Sequence, residues 1–235
     1  MVQTPLLPLD FPNLYPESDG KPMADNTLQY HWIVRLVTNL KHLFQGKTVF
    51  VAGDLLWYPE QVTSPPAPCQ APDAMVVLGR PSGERRSYKQ WEEDNIAPQV
   101  VFEIISESNS AREMLHKQTF YRRYGVLEMF FYDPGSYDFW GQVRSEPDAE
   151  FETITLLNFP WTSPTLGIRF EMFADGLKLF FPNGEAFKDP ETLFEERDRA
   201  KQERERAEQE RERAEQERER AFAKLRELGI DPSTL

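Results

Sequence analysis

Three residues of this chain have the types and spacing to do chemistry together. Glu103 stands at the centre of the apolar run VVFEIIS (residues 100–106), and Asp73 follows Pro72 directly before the run AMVVL. Lys117 falls between Met114, Phe120, Tyr121 and Tyr124 on one face of a helix expected over residues 110–124. Two carboxylates and an ammonium on neighbouring elements can hold a hard divalent cation and offset charge on a phosphate. The plain alternative uses the same residues. A buried carboxylate needs a partner, so Glu103 and Lys117 can form a structural ion pair, or the lysine can extend its stem to solvent.

The elements that must position these groups follow from periodicity. In the β-rich run 100–106, Val101, Glu103 and Ile105 share one face of a strand, and Phe102 and Ile104 the other. Ser110 and Glu113 form an S-x-x-E capping signature for the helix that follows, and Gly125 ends it. Residues 126–132 then read as a second strand closed by Asp133-Pro134. Upstream, Asn26 opens an amphipathic helix over residues 26–45. Its apolar stripe runs through Leu28, Trp32, Leu36, Val37, Leu40, Leu43 and Phe44.

The pieces PDAMVV, VVFEIIS, the helix bearing Lys117 and YGVLEMFFYDP resemble the PD-(D/E)XK nuclease superfamily, and within it the Uma-two family of restriction-endonuclease-like proteins. The resemblance spans residues 26–133. It implies an α/β domain with a mixed sheet flanked by helices, and hydrolysis of DNA phosphodiester bonds with Mg²⁺ or Mn²⁺. Asp73 and Glu103 would then be metal ligands, joined by a backbone carbonyl at Ile104 or Ile105. In one respect the sequence departs from the superfamily formula. The lysine of E-x-K would fall at Ile105, so the resemblance implies that Lys117 reaches the same point from the helix.

At 235 residues and 40% hydrophobic, the chain supports one sizeable domain with appendages. We expect an irregular arm over residues 1–25, the nuclease-like domain over 26–190 and a charged helical tail over 191–235. No 18-residue apolar run and no leader peptide are recognisable, so the expected location is cytoplasmic, away from the membrane. The single Cys69, in a proline-rich loop, allows no disulfide framework. A net charge of −12 argues against a general nucleic-acid binder.

Basic residues cluster in one long connection, 79–98, at Arg80, Arg85, Arg86 and Lys89, beside Trp91. They are the candidate phosphate contacts, against an ordinary solvated loop. His31 lies beside the apolar stripe of the first helix, either as a boundary residue or flanking the cleft. Asp54 is either a turn residue or an extra acid near the metal. Residues 48–52 and 55–58 read as a strand or strand pair, and 137–144 with 151–158 as an antiparallel pair. The alternation at Leu177, Leu179 and Phe181 should extend or edge the sheet.

In the tail the unit ERERAEQ recurs with period seven. It puts Leu193, Ala200, Ala207, Ala214, Ala221 and Leu228 on one seam. Its i,i+3 Glu–Arg pairs each add about 0.2–0.5 kcal/mol to a helix. Because the second seam position is glutamate, association with another copy should be weak. Two function classes stand: a metal-dependent endonuclease, or a catalytically silent nuclease fold that serves as a binding module assembled through its tail.

Overall fold

A computed structural model of the chain describes residues 14–20 and 22–227. In chain order the elements are α1 (Thr27–Leu43), β1 (Val49–Ala52), β2 (Trp57–Tyr58), β3 (Ala74–Leu78), β4 (Tyr88–Lys89), β5 (Val100–Ile104), α2 (Ala111–Arg123), β6 (Glu128–Asp133), β7 (Asp138–Val143), β8 (Glu152–Thr155), β9 (Trp161–Thr162), β10 (Arg169–Phe173), β11 (Gly176–Phe180) and α3 (Pro190–Glu227). The main sheet has the order β1-β3-β5-β6-β7-β8. Within this sheet β5 and β6 pair in parallel, and α2 makes the crossover between them. All other neighbours in that sheet are antiparallel. The fold is α/β with a mixed sheet, as expected.

The sheet separates two cores because its strands alternate. Val49 and Val51 of β1, Ala74 and Val76 of β3, Phe102 and Ile104 of β5, and Phe130 and Tyr132 of β6 face α1. Phe50, Met75, Val77, Val101, Met129 and Phe131 face α2. α1 fills the first core with Trp32, Ile33, Leu36 and Leu40, and α2 fills the second with Met114, Phe120 and Tyr121. All five residues of β5 are buried, so a polar group on either of its faces is enclosed.

Four expectations need correction. β2 leaves the main sheet and pairs in parallel with β4, because the chain turns at Gly53 and Asp54. The connection 79–98 is therefore partly ordered, holding β4 and a 3₁₀ turn at Gln90–Glu92. Leu28 is exposed, since it lies in the first turn of α1, ahead of the sheet contact. Finally, β9, β10 and β11 neither extend nor edge the main sheet. They form a separate three-stranded sheet that joins the α1-side core through Phe170, Leu177 and Leu179.

The starts of α1 and α2 are capped by side chains. Asn26 Oδ1 accepts from the Gln29 N–H at 2.9 Å, and Ser110 Oγ from the Glu113 N–H at 3.2 Å. Gly125, with φ of +95°, ends α2 in a conformation that glycine adopts without penalty. The chain divides into two compact units between Phe187 and Lys188. In the second unit α3 is continuous for 38 residues, and residues 194–220 are exposed on every face. Residues 1–13 of the expected arm, and Leu228 of the tail seam, lie outside the described residues.

Candidate active site

Glu103 is a buried carboxylate on β5. It points from β5 to the α2 side and is 2% exposed. Lys117 and Tyr121, one turn apart on α2, present their polar ends to it together. Lys117 Nζ donates to Glu103 Oε2 at 2.7 Å, and the Tyr121 hydroxyl donates to Oε1. Burial pushes the Lys117 ammonium toward losing its proton, but the charges of Glu103 and Asp73 outweigh this and hold its pKa above the ordinary lysine value. Lys117 is therefore a fixed cation rather than a base.

Asp73 reaches the same place from the start of β3. Its Oδ2 accepts from the Ile104 N–H at 2.6 Å. Burial, then the Glu103 charge, raise its pKa well above the ordinary carboxylate range, against the pull of Lys117. Asp54 stands at the rim with φ of +47°. Burial and Asp19 raise its pKa, and it also feels Lys117 and Glu103. Asp73, Lys117 and Asp54 line one cleft of about 350 Å³, while Glu103 lies behind Lys117 and does not line it.

The remaining candidates lie elsewhere. Arg80 and Arg85 both bind Glu93, at 2.9 and 2.6 Å, and Arg80 also meets Asp94. Lys89 pairs with Glu92 at 3.5 Å. Arg86 is exposed and lies 3.3 Å from Glu17. Arg85 and Arg86 line a different groove beside edge strand β1, together with Lys41. His31 is exposed next to Tyr30 and does not line the cleft.

α1 does contribute to the cleft, through Gln29. Its Nε2 donates to the Ile104 carbonyl at 2.8 Å and its Oε1 accepts from the Asp25 N–H at 2.8 Å. Asp25 in turn accepts from Ser106 Oγ at 2.7 Å, fixing the loop between β5 and α2. In the sequence Gln29 stands three places after the capping Asn26, as the second half of a capping box would. The one available signal was a polar residue next to Trp32 and Ile33 at the mouth of a buried helix. Tyr121 was hidden for the opposite reason, because an aromatic on an apolar face reads as packing.

The donors present, carboxylate and carbonyl oxygens, suit a hard cation such as Mg²⁺. Asp73, Glu103 and Asp54 also carry more negative charge than Lys117 offsets. Among the described residues, no three of the types His, Cys, Asp and Glu form a ready-made metal cage. A cation here would thus be held by two carboxylates and retained waters, which Mg²⁺ accepts.

Residues 20–165 match the Uma2 family, whose description is "Putative restriction endonuclease". The chain belongs to that family. Among solved structures, a "putative nuclease belonging to DUF820" from Anabaena variabilis is 17% identical, with a TM-score of 0.43 over 63% of this chain and 77% of that one. No curated protein matches. Among the described residues, no helix is long and apolar enough to cross a membrane.

Proposed function

We propose that the chain is a metal-dependent endonuclease that hydrolyses DNA phosphodiester bonds, with Mg²⁺, or Mn²⁺ in its place. The observation that supports this reading is that Asp73 and a fixed Lys117 cation line one cleft, with Glu103 directly behind Lys117 and bonded to it. Family membership supports it.

Asp73, Oε2 of Glu103 and the Ile104 carbonyl are the oxygens that would hold the metal. When bound, the metal would lower the pKa of a coordinated water and polarise the phosphate. The chain's own residues supply the rest. Lys117 keeps its proton, so it offsets charge that builds on the phosphate oxygens rather than abstracting a proton. Gln29 holds the Ile104 carbonyl and Asp73 accepts from the N–H of the same residue, so the backbone is fixed on both sides of the Ile104 Cα. Because Lys117 covers Oε2, Glu103 can contribute only by sharing that oxygen.

One observation favours the second reading, a silent fold that binds without cutting. Both oxygens of Glu103 already have donors, as a purely structural pair would. A plasmid-nicking assay with and without Mg²⁺, on the parent and on Asp73→Asn, separates the two. Cleavage that needs Mg²⁺ and disappears in the variant supports the nuclease. Metal binding absent from the parent rules it out.

A further inference from the structure

Residues 14–20 form a strap that lies on Tyr58, Arg86 and Trp91 and reaches the cleft. The Tyr15 hydroxyl anchors it, donating to the Val62 carbonyl at 3.1 Å and accepting from the Val62 N–H at 2.7 Å. The Tyr58 hydroxyl donates to the Pro16 carbonyl at 2.6 Å. The Tyr15 ring meets Trp91 at 4.9 Å and Tyr58 at 5.3 Å, with Lys89 Nζ 5.8 Å from its centre. Two residues on, Glu17 lies 3.3 Å from Arg86, and two further, Asp19 lines the cleft with Asp73 and Lys117. Arg86, Lys89 and Trp91 belong to the basic cluster that the sequence marks for phosphate contact. Here each meets a strap residue of matching kind, a carboxylate on the guanidinium and a ring against the tryptophan and the ammonium.

We propose that Arg86, Lys89 and Trp91 form a binding surface for an unpaired DNA strand leading into the cleft, and that residues 14–20 are an autoinhibitory strap laid along it. This rests on the reading above that DNA is the ligand. A single strand presents flat bases and phosphate oxygens together, and proteins hold it with aromatic faces and cations. Tyr15 stands where a base would stack on Trp91, and Glu17 where a phosphate would meet Arg86. Asp19 adds a negative charge where the strand would enter the cleft. The strap can be displaced. Its Glu17–Arg86 pair is 52% and 83% exposed, so it holds weakly and yields to a polyanion. The family match begins at residue 20, so Tyr15, Glu17 and Asp19 all precede it.

The test is fluorescence anisotropy of labelled oligo-dT, and of a duplex of equal length, with the full chain in EDTA. The parent is compared with a variant combining Tyr15→Ala, Glu17→Gln and Asp19→Asn. A control combining Glu146→Gln and Glu150→Gln removes the same charge from the exposed turn between β7 and β8. Freeing the surface should tighten oligo-dT binding about tenfold beyond the control, the size of one base stack. Tightening no greater than the control overturns the inference, and tightening for the duplex alone overturns the choice of an unpaired strand. A second measurement uses the parent itself. Saturating oligo-dT should speed hydrogen exchange of the Val62 N–H, which the strap holds through Tyr15, and an unchanged rate overturns the proposal. Neither measurement needs a metal or cleavage. Absence of Mg²⁺-dependent nicking would therefore sink the endonuclease reading while leaving these results to stand by themselves.

Discussion

The Asp73 carboxylate takes its place from the peptide that follows Glu103, through the 2.6 Å bond from the Ile104 N–H to Asp73 Oδ2. Strands β3 and β5 thus set the separation of two acids that repel each other, with Lys117 as the nearby offset. Each group can be tested by what its removal costs.

Asp73→Asn keeps an oxygen for the Ile104 N–H and removes the charge. Asp73 has a folded pKa above its unfolded one, so it costs stability from the unfolded value of 3.8 upward, the cost growing until the folded carboxyl is ionised. In metal-free buffer near neutral pH the variant should melt higher than the parent, by about 2–4 °C for each kcal/mol recovered. As pH falls below the ordinary aspartate value of 3.8 that advantage should shrink to nothing, because the parent carboxyl is then neutral in both states. Melting curves across pH check this. A variant less stable than the parent at neutral pH would contradict it.

Lys117→Met leaves Glu103 enclosed without its ammonium. With Lys117 only 14% exposed and Glu103 2%, the loss should be about 3–5 kcal/mol in metal-free buffer. If the metal reading is correct, Mg²⁺ should recover part of that loss by supplying positive charge at the same place. Denaturant unfolding with and without Mg²⁺ measures both parts.

Phe170 of β10 has no exposed surface, and its ring meets those of Phe102, Phe130, Phe139, Phe159 and Trp161. It fastens the three-stranded sheet to the main one. Phe170→Ala should cost about 3–5 kcal/mol, and Phe170→Leu clearly less. Equal losses for the two would mean that refilling the volume recovers nothing and that the ring contacts themselves carry the cost.

Ending the chain at Phe187 should leave the thermal midpoint of the preceding unit nearly unchanged, since residues 194–220 of α3 bury no face. Sedimentation of the full chain against the shortened one reports whether the exposed seam of Ala200, Ala207 and Ala214 brings copies together.

Apolar period alone made legible α1, α2, β1, β3, β5 and β6, because a residue's face within one element depends only on its neighbours in sequence. The same logic marked Glu103 and Lys117, each a charge on a face that must be buried, and the positions of Asp73 and Glu103 at adjacent strands. Other features depend on which segments meet. Arg80 and Arg85 looked like phosphate contacts until the 3₁₀ turn brought Glu93 against them. β2 has the composition of a sheet strand, yet the turn at Gly53 and Asp54 directs it to β4. Gln29 and Tyr121 belong to the site only because α1 and α2 pack on opposite faces of the sheet, Gln29 reaching the Ile104 carbonyl and Tyr121 the Glu103 carboxylate. Sequence determined which groups are enclosed. Tertiary packing decided their partners, since a hydrogen bond between residues 75 positions apart is set by how strands and helices pack and has no local signature.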